Sequence, residues 1–179
     1  MSRTKVIALS GDRAISSSLI LSSAGFFAPL LFSHPQWLIG AIVNAILFIS
    51  AEKLNFKKQL PVIILPSIGA WAHGVIFGPS TIFLLYFLPF IWLGNAVLVR
   101  VMCLKKISHW PFLSRAIIAS VLKSFVLFLV AYLYIGSHLV PKIFLTSMGI
   151  IQLITAISGG VIAYFVIHST TATKNERHY

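Results

Sequence analysis

Residues 81–101 read TIFLLYFLPFIWLGNAVLVRV, a run whose only charge, Arg100, stands at its far end. An α-helix rises about 1.5 Å per residue, so a run of this length reaches about 30 Å, the thickness of a bilayer's hydrocarbon core. The run is dense in aromatic residues, with Phe83, Tyr86, Phe87, Phe90 and Trp92. Just before it, Gly78-Pro79 ends another apolar stretch, because proline has no N–H and clashes with a preceding helical turn.

Working outward, five more stretches have similar character: 14–32, 36–51, 60–77, 116–135 and 143–167. They are too long and continuous for the alternating ten-residue segments of a membrane β-barrel. The expected architecture is therefore all-α, a six-transmembrane-helix bundle over residues 14–167. Residues 1–13 form a short N-terminal segment and 168–179 a polar tail. The first stretch follows Arg3, Lys5 and Arg13, as a signal peptide would. However, it is longer than a usual signal core and no small-x-small cleavage site follows it.

Composition supports the same reading. Hydrophobic residues make up 58% of the 179 and charged residues 9%, against about 25% charged in ordinary soluble domains. So few charges do not cover a water-soluble globule, and the bilayer is the expected surroundings. The net charge of +11 would suit nucleic acid if the basic residues formed one stripe. They fall instead in clusters between apolar runs, so nucleic acid is excluded as a partner. Cys103 is the sole cysteine, which leaves no internal disulfide and no cysteine-based metal site.

The clusters also predict orientation. Arg3, Lys5 and Arg13, then Lys53, Lys57 and Lys58, then Arg100, Lys105, Lys106 and Arg115, and finally Lys174 and Arg177 fall on one side of a six-span chain. Only Lys142, with His34 and His138 nearby, falls on the other. Basic residues favour the cytoplasmic side, so both termini are expected there, in a multi-pass protein of the cell membrane.

The polar residues inside the spans are the candidate site. Lys123 is the one charge well within a span, about two helical turns from Arg115. It has two readings: snorkelling to the near interface, or facing an interior site as a cation for an acidic ligand. Asn44, His73, Asn95 and Gln152 come from the second, third, fourth and sixth stretches. Singly, each suits a hydrogen bond between helices. Together with Trp37, Trp71 and Tyr86, placed like His73 and Gln152 toward the lysine-poor ends, they suit a pocket for a small organic ligand. Interfacial anchoring is the other reading of the Trp and Tyr residues.

Small residues recur at four-residue spacing as Ala14, Ser18 and Ser22, and again as Gln152, Ala156 and Gly160. Such rows let helices approach closely, either within the bundle or, for the first row, against a partner protein. No carboxylate lies inside a span, since Asp12, Glu52 and Glu176 stand at boundaries. This removes the usual equipment for proton-coupled transport and for paired-carboxylate hydrolysis. Ser158 beside Gly159 and Gly160 sits in no protease motif. No glycine-rich phosphate loop occurs, and no enzyme activity, cofactor or metal is expected.

Several stretches together carry a resemblance: His34-Pro35-Gln36-Trp37, Val43-Asn44-Ala45, Leu65-Pro66-Ser67, Phe77-Gly78-Pro79 and Phe87-Leu88-Pro89-Phe90-Ile91-Trp92-Leu93-Gly94-Asn95. In these the chain resembles the substrate-binding S components of energy-coupling-factor (ECF) vitamin transporters, and small six-helix proteins related to them. The resemblance implies six helices with cytoplasmic termini, and a micronutrient site near the outer face. It also implies docking on a transmembrane coupling subunit served by an ATPase pair, with the contact mapping onto Ala14, Ser18 and Ser22. The histidine-rich N-terminus of nickel and cobalt S components is absent, which points away from a metal substrate. The rival expectation is a membrane anchor or assembly subunit, in which the same polar residues join helices. A channel would need a ring or row of pore-lining charge, and none is evident.

Overall fold

The computed structural model describes residues 11–32, 34–74 and 78–176, and all its regular structure is helical. The helices are α1 (Gly11–Leu31), α2 (Gln36–Lys53), α3 (Phe56–His73), α4 (Leu84–Met102), α5 (Phe112–Gly136), α6 (Ile143–Met148) and α7 (Ile150–Glu176). Short 3-10 turns at Gly78–Phe83 and Lys105–Ile107 precede α4 and α5. The chain up to residue 10, the end of the third predicted stretch at 75–77, and Arg177 lie outside the described residues.

Among the described residues, four segments are long and apolar enough to cross a membrane: Ala14–Leu31, Pro79–Met102, Phe112–Gly136 and Ile143–Ser169. The other two main helices, α2 and α3, have 18 residues each, or about 27 Å of rise. Both carry charge at the α2–α3 link, where Glu52, Lys53, Lys57 and Lys58 cluster. α2 occupies the middle of the bundle and touches α1, α3, α4 and α7. Its buried residues, including Ile39, Ala41, Asn44, Ile46, Leu47 and Phe48, point in all directions around the axis, as expected of a helix enclosed by others.

The sixth predicted stretch, 143–167, is not one helix. It breaks at Gly149, whose backbone (φ −97°, ψ −98°) leaves the helical region between α6 and α7. A Cβ at Gly149 would stand 2.7 Å from the Leu145 carbonyl and 3.0 Å from the Phe128 ring. The break therefore depends on a bare backbone pressed against α5. It also allows Phe144 and Met148 of α6 to be buried. From Ile150, α7 continues without interruption into the polar tail as far as Glu176.

The α2–α3 connection is closed by polar groups. Asn55 caps α3 by accepting from the Lys58 N–H at 3.2 Å. Gln59, buried, donates from Nε2 to the carbonyls of Ser50 (3.2 Å) and Leu54 (2.7 Å). Arg115 joins the start of α5 to the end of α2 by an ion pair with Glu52 at 3.0 Å, and donates to the Met102 carbonyl at 2.9 Å. These ties gather at the lysine-rich end.

Two apolar clusters fill the bundle. One, toward the lysine-rich end, contains Leu47, Phe48, Val62, Leu98, Met102 and Ala163. The other, toward the opposite end, contains Leu84, Phe87, Leu127, Phe144 and Met148. Close helix approach depends on small residues. The longest contacts run between α1 and α3 and between α2 and α7. A Cβ on Gly159 of α7 would lie 2.6 Å from Asn44 Cβ and 2.7 Å from the Ala41 carbonyl of α2. Gly159→Val is therefore expected to destabilise the fold by about 1–3 kcal/mol, whereas Gly136→Ala, with nothing within 4 Å of the added carbon, should stay within about 0.5 kcal/mol of the parent. Thermal unfolding of the two variants in detergent checks the contrast.

Candidate functional site

Between the two apolar clusters the bundle is hollow. A cavity of about 120 Å³ is lined by residues of α1, α2, α3, α4, α5, α6 and α7, among them Asn44, Asn95, Lys123 and Gln152. It has room for several water molecules or part of a small ligand. Its deep polar groups are almost fully enclosed, with Asn44 and Asn95 each 2% exposed and Lys123 3%. The lining residues Phe32 and Gln36, near the α1–α2 connection, are more accessible and mark the opening. That connection belongs to the lysine-poor end.

Lys123 faces inward. Its Nζ donates to Asn44 Oδ1 at 2.6 Å, so the hydrogen bond spans from α5 to the central helix. Gly94 of α4 faces the lysine stem, and a Cβ there would meet Lys123 Cγ at 3.4 Å, an ordinary van der Waals contact. Asn44 is oriented by further bonds, as its Nδ2 donates to the Gly40 carbonyl at 2.8 Å and to Thr155 Oγ1 at 3.3 Å. Thr155 packs on Gly40, where a Cβ would come within 2.9 Å of it, and its hydroxyl donates to the Gln152 carbonyl at 3.2 Å.

Asn95 sits on the next turn of α4 after Trp92. Its Nδ2 donates to the Ile63 carbonyl at 2.9 Å, while its Oδ1 is buried without a partner. A carbonyl only accepts, so this amide is fixed with its oxygen toward the unpaired side. Trp92 donates from Nε1 to Ser67 Oγ at 2.8 Å, and Ser67 donates in turn to the Ile64 carbonyl at 2.9 Å. Pro66 breaks the regular ladder of α3 beside that serine and lines the cavity with it.

Of the eight residues expected at a ligand site, the cavity brings together Asn44, Asn95, Gln152 and Lys123. The other four are elsewhere. Trp37, Trp71 and Tyr86 are 59%, 41% and 54% exposed, pointing out of the bundle in the manner of interfacial anchors. His73 is half-buried at the end of α3, with Nδ1 at 2.7 Å from the Leu30 carbonyl. Because that carbonyl only accepts, Nδ1 carries the proton and ties α3 to α1. None of these four side chains is in the cavity lining.

The rows of small residues face inward. Ala14, Ser18 and Ser22 are buried within the chain's own bundle, and Ser18 donates to the Lys58 carbonyl of α3 at 2.6 Å. The outward side of α1 carries Ile15, Leu19 and Ile20 instead. In the second row Ala156 is enclosed, and Gly160 meets Ala116 and Phe48. Ser67, Gln36 and Gly40 are among the lining residues that position along the sequence did not single out as a site. Their only signal was membership of stretches that also hold Asn44, Trp37 and Pro66.

Among the described residues the lining contains no carboxylate, histidine or cysteine, and its chemical equipment is hydrogen bonding and a lysine. No protein-family model matches the chain, and comparison with curated proteins and with solved structures finds no match.

The Lys123–Asn44 bond should be energetically coupled. Asn44→Ala leaves the ammonium enclosed without its acceptor and is expected to cost about 1–3 kcal/mol. Adding Lys123→Met should recover most of that loss, which a double-mutant cycle of unfolding free energies measures. Simple additivity of the two losses would disprove the coupling.

Proposed function

We propose that the chain is the membrane-embedded substrate-binding subunit of an uptake system for a small organic micronutrient. The single observation that carries this reading is the cavity whose deep polar groups, Lys123, Asn44 and Asn95, are enclosed, opening toward the lysine-poor end of the bundle. In the proposed topology the chain crosses the cell membrane six times with both termini in the cytoplasm. The basic clusters then mark the cytoplasmic side and the cavity opens outward. Binding, not catalysis, is the proposed role, and hydrogen-bonding groups in a mostly apolar cleft suit it.

The chain carries no phosphate loop, so active uptake needs a partner. The proposed partners are a transmembrane coupling subunit and an ATPase pair, as the resemblance to ECF S components implies. Ala14, Ser18 and Ser22 are engaged inside the bundle, which leaves the outward face of α1 around Ile15, Leu19 and Ile20 for such docking. A short α2 and α3 fit a bilayer if their charged link lies at the interface, with long side chains reaching the headgroups.

Two measurements test the proposal. With Cys103 replaced by serine, a cysteine introduced at His138 should react with a membrane-impermeant thiol reagent from outside intact cells. One at Lys57 should react only after the membrane is opened. Mild-detergent purification should return the chain with an ATPase pair and a coupling subunit; recovery in any other stable complex would favour the membrane-anchor role.

A further inference from the structure

The deep end of the cavity has a definite set of unused hydrogen-bonding groups. Ser67 donates to Ile64 and accepts from Trp92, while Thr155 donates to Gln152 and accepts from Asn44. Asn44 is engaged through both its nitrogen and its oxygen. Two groups remain. Lys123 has three N–H donors and uses one, on Asn44. Asn95 Oδ1 is enclosed and accepts from nothing among the described residues. One side of the empty space therefore offers donors on a cation, and another offers a bare acceptor.

Charge narrows the ligand further. No carboxylate lines the cavity, and Glu52 is committed to Arg115 at 3.0 Å. Asn44 gives Lys123 a hydrogen bond but no negative charge. A cation enclosed among Ile39, Val43, Ile91 and Met148 gains most from an anion brought in with the ligand. Chloride supplies charge but no donor for Asn95. A phosphate brings two charges to a single cation.

We infer that the cavity takes a small organic carboxylate that also bears an N–H or O–H group, its anionic oxygen meeting Lys123 Nζ, its donor meeting Asn95 Oδ1, and an apolar body filling the space toward Phe32. This assignment rests on the substrate-binding role proposed above and names the class of substrate. Lys123 sets the preference for an acid, and Asn95 sets the preference for a neighbouring donor.

The test uses the full chain purified in detergent. Organic molecules released on denaturation are identified by mass spectrometry. Thermal shifts are recorded with matched pairs that differ in charge, biotin against biotinamide and pantothenate against panthenol, and with sodium chloride and inorganic phosphate alone. The expected result is a released or stabilising acid bearing N–H or O–H, with its neutral counterpart binding roughly ten- to hundredfold more weakly. Lys123→Met should remove that preference, so that acid and neutral partner bind within about threefold of each other. The wild-type comparison of acid with neutral partner stands even if the variant does not fold. A neutral or cationic ligand, equal binding of both members of a pair, or a shift with inorganic anions only overturns the carboxylate assignment and leaves the binding role intact. No released molecule and no shift with any probe overturns both.

Discussion

The hydrogen bond from Lys123 to Asn44 joins the middle of α5 to the middle of α2 at 2.6 Å, and much of the bundle is arranged around it. A lysine at the centre of a membrane helix costs about 2.5–3.5 kcal/mol on insertion scales. A hydrogen bond to a charged group returns about 1.5–3 kcal/mol. The two are of similar size, so the lysine is tolerated only while Asn44 is held in place. Asn44 is held by Gly40 and Thr155, and Thr155 reaches it because α7 lies against α2 at Gly40 and Gly159. The small residues of α2 and α7 thus serve the polar centre as well as the packing.

That centre separates two apolar clusters of different construction. Toward the lysine-rich end, Leu47, Phe48, Leu98 and Met102 pack densely, and polar ties through Gln59, Arg115 and Glu52 close the connections. Toward the other end the cluster is aromatic, with Phe87 stacked on Phe144 at 4.9 Å and edge-on to Tyr134 at 5.4 Å. It depends on α6, the short helix that Gly149 detaches from α7. The cavity lies where these two kinds of packing meet, next to the prolines of α1 and α3, Pro29 and Pro66. Pro66 lacks the N–H that would bond the Val62 carbonyl, and the next two carbonyls, of Ile63 and Ile64, accept hydrogen bonds from Asn95 and Ser67.

Long apolar runs made the helices legible from the amino-acid order, since a span needs about twenty apolar residues and little else. The polar residues in those runs were legible as a candidate site for the same reason: Asn44, Asn95, Gln152 and Lys123 interrupt stretches that are otherwise apolar. What could not be read was direction. Trp37, Trp71 and Tyr86 come from the lysine-poor halves of their stretches, as Gln152 does, yet about 100° of rotation per residue separates a side chain that faces the cavity from one that faces outward. Ser18 and Ser22 looked equally able to meet a partner or a neighbour, and the closeness of α1 to α3 decided for the neighbour.

By itself, then, the sequence determined that this chain is helical, that several helices match the span of a membrane, and that its few interior polar groups lie within particular helices. Hydrophobic length and composition are local properties, readable one stretch at a time. The tertiary structure alone decided that Lys123 turns inward to Asn44, that Asn95 keeps a bare oxygen, and that the sixth stretch breaks at Gly149. Each of these depends on atoms from helices far apart in the chain: Asn44 accepting from a lysine, Ile63 fixing an amide, Phe128 pressing on a glycine. No single stretch contains both partners, and only packing brings them together.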